Sequence, residues 1–528
     1  MLGSGFDRRG MARIAAAGVL LATMVGAAPA PVEADLIIRG GTVFTGDAAP
    51  FTGDVAIAGD RIVEVGPHIK LAAKRTIDAK GMIVAPGFID PHTHAKALAS
   101  DDARERLVLP FLMQGVTTAF IGNDGGGSPD VAATLAWPKT KPVGINYATF
   151  VGFGAVRETV IGEARRAPTD TELQKMKDLV ASAMCQGAIG FSTGLFYAPQ
   201  SFSTTKEVVE LAREAAVRGG IYDSHIRDES SYTVGLEAAV DEAITIGREA
   251  GMPVHISHIK ALGVDVQGKA PVIIAKVEAA RRAGQQVTAN QYPWSASGTS
   301  LVASLVPLWA QDGGRPALLQ RFDDASLKDR LLQDMAENLR KRGGADMLLI
   351  TDGPEKGHRL SQVAARMKLD PVAAAIAIIR MKDPAVASFN QSEADIAAFM
   401  RQPWVMTGSD ASTGHPRVYG SFARKYAKYV QQDHVITLRA FIERSSALTA
   451  DTFGLKGRGH LRAGAFADVV VFDPKTYRER ATYEQPEQFA EGVRTVVVNG
   501  RIAVDNGRPT GVAAGRALAH VPPKGSCS

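Results

Sequence analysis

The sequence Phe88-Ile89-Asp90-Pro91-His92-Thr93-His94 combines a short apolar run with two histidines two positions apart. Successive side chains of a strand point to opposite faces, so His92 and His94 lie on the same side of an extended segment. Neutral imidazole nitrogen is a good ligand for zinc. A His-x-His pair alone fits an ordinary polar strand end equally well. Further residues elsewhere in the chain are therefore needed to identify a metal site.

The central part of the chain alternates short apolar runs with helical patterns, as a parallel sheet with crossover helices does. Eight such runs end near Asp90, Gly122, Val151, Ser192, Ser224, Ser257, Gln291 and Gly408. Eight strand and helix units close naturally into a barrel, so the predicted fold class is α/β with a (β/α)8 TIM-like barrel. Capping boxes at Thr169 to Glu172 and at Thr204 to Glu207 are predicted to begin two of the helices.

Both ends of the chain are rich in strand patterns. They occur within residues 35–82 and again within residues 455–515, where the run at 493–498 is followed by the turn residues Asn499-Gly500. We therefore predict a small β-sandwich that is formed by both chain ends. The catalytic barrel at 83–454 would be inserted between its two halves.

A long insertion is predicted before the eighth strand of the barrel. It covers about 303–402 and carries helical patterns at 317–342 and 361–381. Such a segment is far longer than an ordinary connection between a strand and a helix. We expect it to form a subdomain or lid over the barrel mouth.

Composition narrows the classes of function. The 528 residues are 45% hydrophobic and 22% charged, which is enough for a large core and for more than one ordinary domain. The formal net charge is +5, but Lys and Arg are scattered, so no nucleic-acid partner is predicted. The two cysteines, Cys185 and Cys527, cannot build a disulfide framework and are expected to be passive.

The N-terminus has the pattern of a targeting segment. Three arginines up to Arg13 precede an apolar run at 14–28, and small residues near its end offer cleavage sites. We predict a signal peptide at 1–30 and export to the periplasm or the medium. The run is too short to span a membrane permanently, so no stable membrane insertion is expected after processing. An uncleaved anchor is the alternative, and Arg8-Arg9 also permits a twin-arginine signal.

Four further polar residues lie where later barrel strands should end. For His225, His258 and Asp410, strand alternation puts the side chain on the face that should line the barrel interior. The C-terminal mouth of such a barrel is where enzymes assemble sites from several strand ends. The predicted metal and catalytic site therefore consists of His92, His94, Asp124, His225, His258 and Asp410.

Several longer motifs accompany these residues. They are Ser192-Thr193-Gly194-Leu195-Phe196-Tyr197, Ser224-His225-Ile226-Arg227-Asp228-Glu229, Ile256-Ser257-His258-Ile259-Lys260, Tyr292-Pro293 and His415-Pro416-Arg417-Val418-Tyr419-Gly420. Together with the histidines and Asp410 they resemble the amidohydrolase superfamily, and within it most closely the D-aminoacylase (N-acyl-D-amino-acid deacylase) family. The likeness extends over nearly all of the mature chain, from Asp35 to about Gly511.

The resemblance implies a role for each matching residue. His225 and His258 resemble the ligands of a tightly held zinc, and His92 and His94 those of a second, weaker position. Asp410 resembles the catalytic carboxylate that exchanges protons with the attacking water and the leaving amine.

Other matching positions concern the substrate. Lys260, Tyr292 and Arg417 fall where the family binds the substrate carboxylate, and Tyr197 falls in the pocket wall. Arg can form a paired contact with a carboxylate, and Lys supplies a point charge. The implied partner is therefore a small-molecule amide with a free carboxylate.

One position departs from the family pattern. The family has a metal-bridging cysteine on the second strand, and this chain has Asp124 there, within Gly122-Asn123-Asp124-Gly125. A carboxylate can bridge two ions, but it is a harder ligand than thiolate. The expected cofactor is zinc, with one or two ions per chain, and the substitution leaves another divalent metal open.

The predicted function is metal-dependent hydrolysis of a linear amide, an N-acyl-D-amino acid or a D-residue dipeptide, to a carboxylate and a free D-amino acid. The preference for the D isomer follows from the resemblance alone. A cyclic amidase or deaminase on the same scaffold is an alternative, and it would leave Lys260 and Arg417 pointing away from the metal. A non-catalytic binding protein that keeps the fold is the second alternative. The oligomeric state is not indicated by the sequence.

Overall fold

A computed structural model describes residues 33–527 of the chain. The predicted signal peptide at 1–30 lies outside the described residues. Within the described range, no helix combines the length and the apolar character that crossing a bilayer requires.

The strands are numbered here in chain order. They are β1 (Ala34–Val43), β2 (Phe51–Ala58), β3 (Arg61–Gly66), β4 (Ala73–Asp78), β5 (Ile83–Pro86), β6 (Phe88–Asp90), β7 (Val116–Ile121), β8 (Asn146–Thr149), β9 (Val151–Gly152), β10 (Gly190–Gly194), β11 (Ile221–His225), β12 (Val254–Ile256), β13 (Val287–Gln291), β14 (Ala296–Ser300), β15 (Leu348–Ile350), β16 (Ala385–Phe389), β17 (Val405–Thr407), β18 (Val469–Phe472), β19 (Val493–Val498), β20 (Arg501–Asp505) and β21 (Arg508–Pro509).

The α-helices are numbered in the same way. They are α1 (Leu109–Leu112), α2 (Val131–Thr140), α3 (Phe153–Ile161), α4 (Asp170–Cys185), α5 (Thr205–Ala216), α6 (Leu236–Ala250), α7 (Ala270–Arg282), α8 (Leu301–Leu305), α9 (Gly314–Asp323), α10 (Lys328–Lys341), α11 (Leu360–Met367), α12 (Pro371–Met381), α13 (Glu393–Met400), α14 (Arg417–Arg424), α15 (Leu438–Ser445) and α16 (Ala447–Thr452). A π-helix, Lys425–Gln432, continues α14.

The parallel strands form two sheets. A six-stranded sheet has the order β17-β13-β12-β11-β10-β9, and a three-stranded sheet has the order β6-β7-β8. Phe150 alone separates β8 from β9, so one sheet follows the other along the chain. Each of the eight apolar runs in the sequence contains a strand that ends within two residues of the predicted position. These strands are almost entirely buried, as parallel strands covered by helices are.

Backbone contacts join the first and the last parallel strands just beyond their C-terminal ends. Asp410 donates its N–H to the carbonyl of His92 at 3.0 Å, and His94 donates to the carbonyl of Ala411 at 3.1 Å. Thr93 and Ala411 form a parallel bridge. The ends of β6 and β17 therefore lie side by side, which brings His92, His94 and Asp410 together.

Amphipathic helices cover the outer face of the six-stranded sheet. On α5, the buried residues recur with helical spacing at Val208, Leu211, Ala212 and Ala215, while Arg213 is exposed. Full burial of a Val or Leu side chain contributes about 1.5–3 kcal/mol to folding. The apolar faces of these helices and the strands beneath them form one large core cluster.

One of the two predicted capping boxes is complete and the other is half formed. At the start of α4, the Thr169 hydroxyl accepts from the N–H of Glu172 at 3.3 Å, and the Glu172 carboxylate accepts from the N–H of Thr169 at 2.8 Å. At the start of α5, Thr204 caps Glu207, but the Glu207 carboxylate accepts from Arg157 Nε at 3.2 Å instead. Arg157 is fully buried, and a buried guanidinium needs an anionic partner more than a helix end does.

Strands from both chain ends share one nine-stranded sheet. Its order is β21-β20-β19-β18-β5-β1-β2-β3, with β4 paired to β1. β5 connects the two ends, because it runs parallel to β1 and antiparallel to β18. The predicted hairpin turn between β19 and β20 is present, with φ of 48° at Asn499 and 77° at Gly500.

The segment between β13 and β17 forms a subdomain with its own apolar core. It contains α8 to α12 and an antiparallel sheet of order β14-β16-β15. The sheet was not predicted, because β14 is Ala296-Ser297-Gly298-Thr299-Ser300 and has no apolar alternation. It begins before the predicted start of the insertion at about 303.

Both long helices predicted in this subdomain are interrupted. The pattern at 317–342 is divided between α9 and α10, and the pattern at 361–381 between α11 and α12. The second break has a clear cause, because a residue that precedes proline avoids the helical conformation. Asp370, before Pro371, instead caps α12 by accepting from the N–H groups of Val372 and Ala373 at 3.0 Å.

A disulfide joins Cys185, the last residue of α4, to Cys527. The sequence did not predict this bond, which leaves neither cysteine as a free thiol. The C-terminal segment also pairs with the body of the fold, where Gly515 donates to Val143 at 2.8 Å and Leu518 to Tyr147 at 2.7 Å. The separation of 342 residues explains why no local pattern revealed the pair.

Loss of this disulfide should destabilise the protein. A crosslink that closes so long a loop restricts the unfolded chain, and its removal typically costs about 2–5 kcal/mol. We expect the double variant Cys185→Ser with Cys527→Ser to unfold several degrees below the oxidised wild type in calorimetry. Ser526→Ala is the control, and it should unfold at the wild-type temperature. Equal unfolding temperatures for the double variant and the wild type would contradict a stabilising disulfide between Cys185 and Cys527.

Candidate metal centre and active site

The six residues predicted to form the metal and catalytic site converge in the structure. They follow β6, β7, β12 and β17 or, for His225, end β11. Their ligand atoms fall into two groups that share Asp124. One group is His92, His94, Asp124 and Asp410, and the other is Asp124, His225 and His258.

The Asp124 carboxylate lies between four imidazole rings. Its Oδ1 is 3.4 Å from His92 Nε2, 3.6 Å from His258 Nε2 and 3.9 Å from His225 Nδ1. Its Oδ2 is 3.3 Å from His94 Nε2. Two ligands that are each about 2.0 Å from a tetrahedral ion lie about 3.3 Å apart, so these separations suit ligands of a common ion.

Several buried atoms of the site have no hydrogen-bond partner within residues 33–527. They are both ring nitrogens of His92, Oδ1 of Asp124 and Nε2 of His225. An unsatisfied buried polar atom costs about 1–3 kcal/mol. Imidazole nitrogen and carboxylate oxygen are a donor set that zinc accepts, so the residues present fit a zinc site.

Electrostatics favour positive charge at this place. Burial alone would lower the pKa of His94, but Asp124 and Asp410 raise it to about 9. The pKa of His258 is likewise raised to about 9 by Asp410 and Glu229, against the effects of burial and of Lys260. Without a metal, the neighbouring carboxylates therefore favour the protonated forms of His94 and His258. A bound cation would displace those protons.

The backbone is left-handed at three site residues, with φ of 56° at Asp124, 34° at His258 and 49° at Asp410. For a residue other than glycine this conformation costs about 1–3 kcal/mol and persists only where the surroundings enforce it. Each residue follows a strand end, so the left-handed turn redirects the side chain into the site.

Neighbouring side chains hold these strained residues in place. Gln200 Nε2 donates to the carbonyl of Asp124 at 2.9 Å, and Asn290 Oδ1 accepts from the N–H of His258 at 3.0 Å. Gln200 and Asn290 have no predicted role, because an isolated amide side chain carries no recognisable sequence pattern. Their role depends on contacts between distant parts of the chain.

Two buried carboxylates lie behind the histidines. Asp90 accepts from the N–H groups of His92 and Ser409, which links β6 to the end of β17. Asp223 accepts from Asn123 Nδ2 at 3.0 Å and from Ser257 Oγ at 2.7 Å. Burial raises the pKa of Asp90 to about 7 and that of Asp223 to about 6. Sequence reasoning missed both as site residues, although Asp90 directly precedes the His-x-His pair.

Lys260 is part of a tight cluster with Glu229. Its Nζ pairs with the Glu229 carboxylate, donates to the carbonyl of His258 at 2.9 Å and lies 2.7 Å from His258 Nδ1. Burial alone would raise the pKa of Glu229, but Lys260 and the two histidines hold it below its usual range. Glu229 belongs to the sequence motif around His225, but that motif did not predict its pairing with Lys260.

Arg417 contacts the predicted catalytic carboxylate. Its Nη1 is 2.7 Å from Asp410 Oδ2, and its Nη2 donates to Ser412 Oγ at 2.7 Å. Burial alone would raise the pKa of Asp410, but Arg417 and the imidazoles hold it well below its usual range. The ring of Tyr292 lies 5.0 Å from the Arg417 guanidinium and 5.7 Å from Lys260 Nζ, so the three predicted substrate-binding residues are neighbours.

A cavity of about 450 Å³ opens over the site. This is the size of a small-molecule binding site. Asp410, Arg417 and Lys260 line it, whereas His92 and Tyr292 lie behind its wall. Tyr197 forms part of the wall, with its ring 4.8 Å from that of His225 and its hydroxyl 3.4 Å from Thr299 Oγ1.

Comparison with protein families gives one match. The model of the amidohydrolase family named Amidohydro_3 matches residues 75–504.

Characterised relatives and solved structures are similar over most of the chain. A D-aminoacylase of Alcaligenes xylosoxydans xylosoxydans is 35% identical, over 92% of this chain and 98% of the relative. The structure of an N-acyl-D-glutamate deacylase from Bordetella bronchiseptica, complexed with zinc and a phosphonate mimic of the tetrahedral intermediate, is 31% identical with a TM-score of 0.78, covering 92% and 100% of the two chains. A D-aminoacylase structure that concerns the role of a binuclear metal centre has the same identity, TM-score and coverage.

Asp124 should be required for metal retention. Because it is shared by both ligand groups, Asp124→Ala should lose most of the zinc that the wild type retains after dialysis, measured by plasma mass spectrometry. Asp124→Cys supplies another anionic bridging ligand and should retain zinc. His68→Ala, at an exposed histidine outside the site, is the matched control. Full zinc content in Asp124→Ala would exclude the shared-ligand arrangement.

Proposed function

The chain belongs to the amidohydrolase family, and we propose that it is a zinc-dependent hydrolase that converts N-acyl-D-amino acids to a carboxylate and a free D-amino acid. The observation that carries this function is the position of Asp410. It lies 3.4 Å from His94 Nε2 and 2.7 Å from the Arg417 guanidinium, between the metal ligands and a group that can bind a carboxylate.

His92, His94, Asp124, His225 and His258 would hold the zinc. When bound, zinc lowers the pKa of a water molecule and polarises an amide carbonyl. The Asp410 carboxylate accepts the proton of the attacking water and returns it to the amide nitrogen as the C–N bond breaks. An amide leaves poorly unless its nitrogen is protonated, so both transfers are needed.

Arg417 and Lys260 bind and orient the free carboxylate of the substrate, and the Tyr292 ring, behind the cavity wall, packs against both. Arg417 Nε is buried and has no hydrogen-bond partner within residues 33–527. A guanidinium edge with an unused donor suits a carboxylate oxygen. The preference for the D isomer rests on the similar proteins, whose names specify D-amino acids.

The arrangement favours a linear amide over the alternatives. A cyclic amidase or deaminase would not need Lys260 and Arg417, yet both line the cavity beside the metal ligands. A non-catalytic protein would not need Asp410 in the wall of that cavity, next to the metal ligands.

The nine parallel strands, with β8 and β9 counted as one interrupted strand, are proposed to close into a (β/α)8 barrel. Support comes from their order in the two sheets, from the single residue between β8 and β9, and from the backbone contacts that join the ends of β6 and β17. In such a barrel the catalytic residues lie at the C-terminal strand ends, as these residues do.

The hydrolysis can be tested with paired isomers. Zinc-loaded protein should release free amine from N-acetyl-D-amino acids and leave the N-acetyl-L isomers intact. Asp410→Asn removes the proton acceptor, so kcat should fall by about 10²–10⁴-fold. His358→Ala, at an exposed histidine, should keep full activity. Equal rates on the D and L isomers, or an Asp410→Asn variant of unchanged kcat, would refute the proposal.

Export to the periplasm or the medium is proposed as the location. Support comes from the targeting pattern at 1–30 and from the Cys185–Cys527 disulfide, since disulfides persist in oxidising compartments. When the full-length chain is expressed in a Gram-negative host, N-terminal sequencing of the periplasmic fraction should find a chain that begins near residues 30–35. A chain that keeps its first residues and stays in the cytoplasm would refute it.

A further inference from the structure

Arg342 is a buried arginine that has no carboxylate partner among the described residues. It caps the C-terminus of α10, and its side chain is enclosed in the subdomain between β13 and β17, with a relative exposure of 2%. Nε donates to the carbonyl of Ser304 in α8 at 3.1 Å. Nη1 has no hydrogen-bond partner, and no carboxylate within residues 33–527 forms a salt bridge with the guanidinium.

Tyr232 presents a second unused donor beside it. This residue lies in the loop between β11 and α6, and its ring centroid is 5.5 Å from the Arg342 guanidinium. The Tyr232 hydroxyl is buried and also has no partner among the described residues. The Tyr232 ring and the Arg342 guanidinium, from separate parts of the fold, are therefore neighbours, and each side chain has an unused donor.

Both residues line the same cavity as Asp410 and Arg417. A buried guanidinium is costly unless an anion or several acceptors satisfy it. The acidic residues of this wall are already engaged, because Asp352 pairs with Lys382 at 2.9 Å and Asp383 accepts from the N–H of Val302 at 2.9 Å. Neither carboxylate is therefore the partner of Arg342, and an external acceptor for its guanidinium would enter through the cavity that it lines.

We propose that Arg342 and Tyr232 form a second carboxylate-binding subsite, which selects substrates that carry a further carboxylate away from the scissile amide. The inference rests on the proposed hydrolysis of N-acyl-D-amino acids and specifies its substrate class. The further carboxylate belongs to an acidic side chain of the amino acid or to a dicarboxylic acyl group. Arg417 is a separate site, since it contacts Asp410.

Matched substrates test the subsite and identify which carboxylate it binds. N-acetyl-D-glutamate is compared with N-acetyl-D-glutamine, and N-succinyl-D-methionine with N-acetyl-D-methionine. In Arg342→Met, kcat/KM should fall by about 10- to 100-fold for one of the two acidic substrates, because a hydrogen bond to a charged group is lost. Tyr232→Phe should reduce kcat/KM for the same acidic substrate by a smaller factor. Both variants should cleave the two neutral substrates with the kcat/KM of the wild type.

Arg340→Met is the matched control. It removes the same charge from the same helix, but Arg340 is exposed and pairs with Asp265 and Glu337. Its kcat/KM values should equal those of the wild type. An equal loss on acidic and neutral substrates in Arg342→Met would show a structural role only, and unchanged values on both acidic substrates would overturn the subsite.

A binding measurement separates this inference from the proposed reaction. By calorimetry, zinc-loaded protein should bind D-glutamate more tightly than D-glutamine, or succinate more tightly than succinamate, and Arg342→Met should abolish the difference. If this binding difference is found but no amide is hydrolysed, the proposed function is refuted and the subsite is supported. Equal binding within both pairs by the wild type would refute the subsite even if hydrolysis is observed.

Discussion

The contact of one carboxylate with four imidazole rings is the constraint on which the site depends. Asp124 supplies both oxygens, and the rings come from segments that follow or end β6, β11 and β12. A buried charge is stable only when opposite charge or donors surround it. The positions of these strand ends are therefore linked, and a shift of any one would leave an anion or an imidazole unsatisfied.

The protein places its reactive groups by fixing backbone rather than by packing alone. Asp124, His258 and Asp410 all have left-handed backbone, and each is held by a hydrogen bond from a different part of the chain. The free energy that this conformation costs must be supplied by the surrounding core, which is large and almost fully buried. The same core interactions therefore stabilise the scaffold and hold the reactive side chains in position.

The sequence predicted the parts of this structure that depend on local pattern. The parallel strands, the hairpin at Asn499 and the cap at Thr169 follow from periodicity and turn chemistry, and the strand ends then located the histidines and Asp410. The unpredicted features all join residues distant in the chain. Glu229 with Lys260, Gln200 with Asp124, and the Cys185–Cys527 bond are contacts that exist only once the strands are assembled.

The disulfide has a consequence for the order in which the protein matures. Cys527 lies 342 residues after Cys185, so the bond to α4 cannot form until all the strands between the two cysteines have been synthesised. A product that ends before Cys527 keeps a free thiol at Cys185. Oxidation of this pair is therefore a chemical record that the two distant segments have met, and thiol labelling distinguishes molecules in which they have met from those in which they have not.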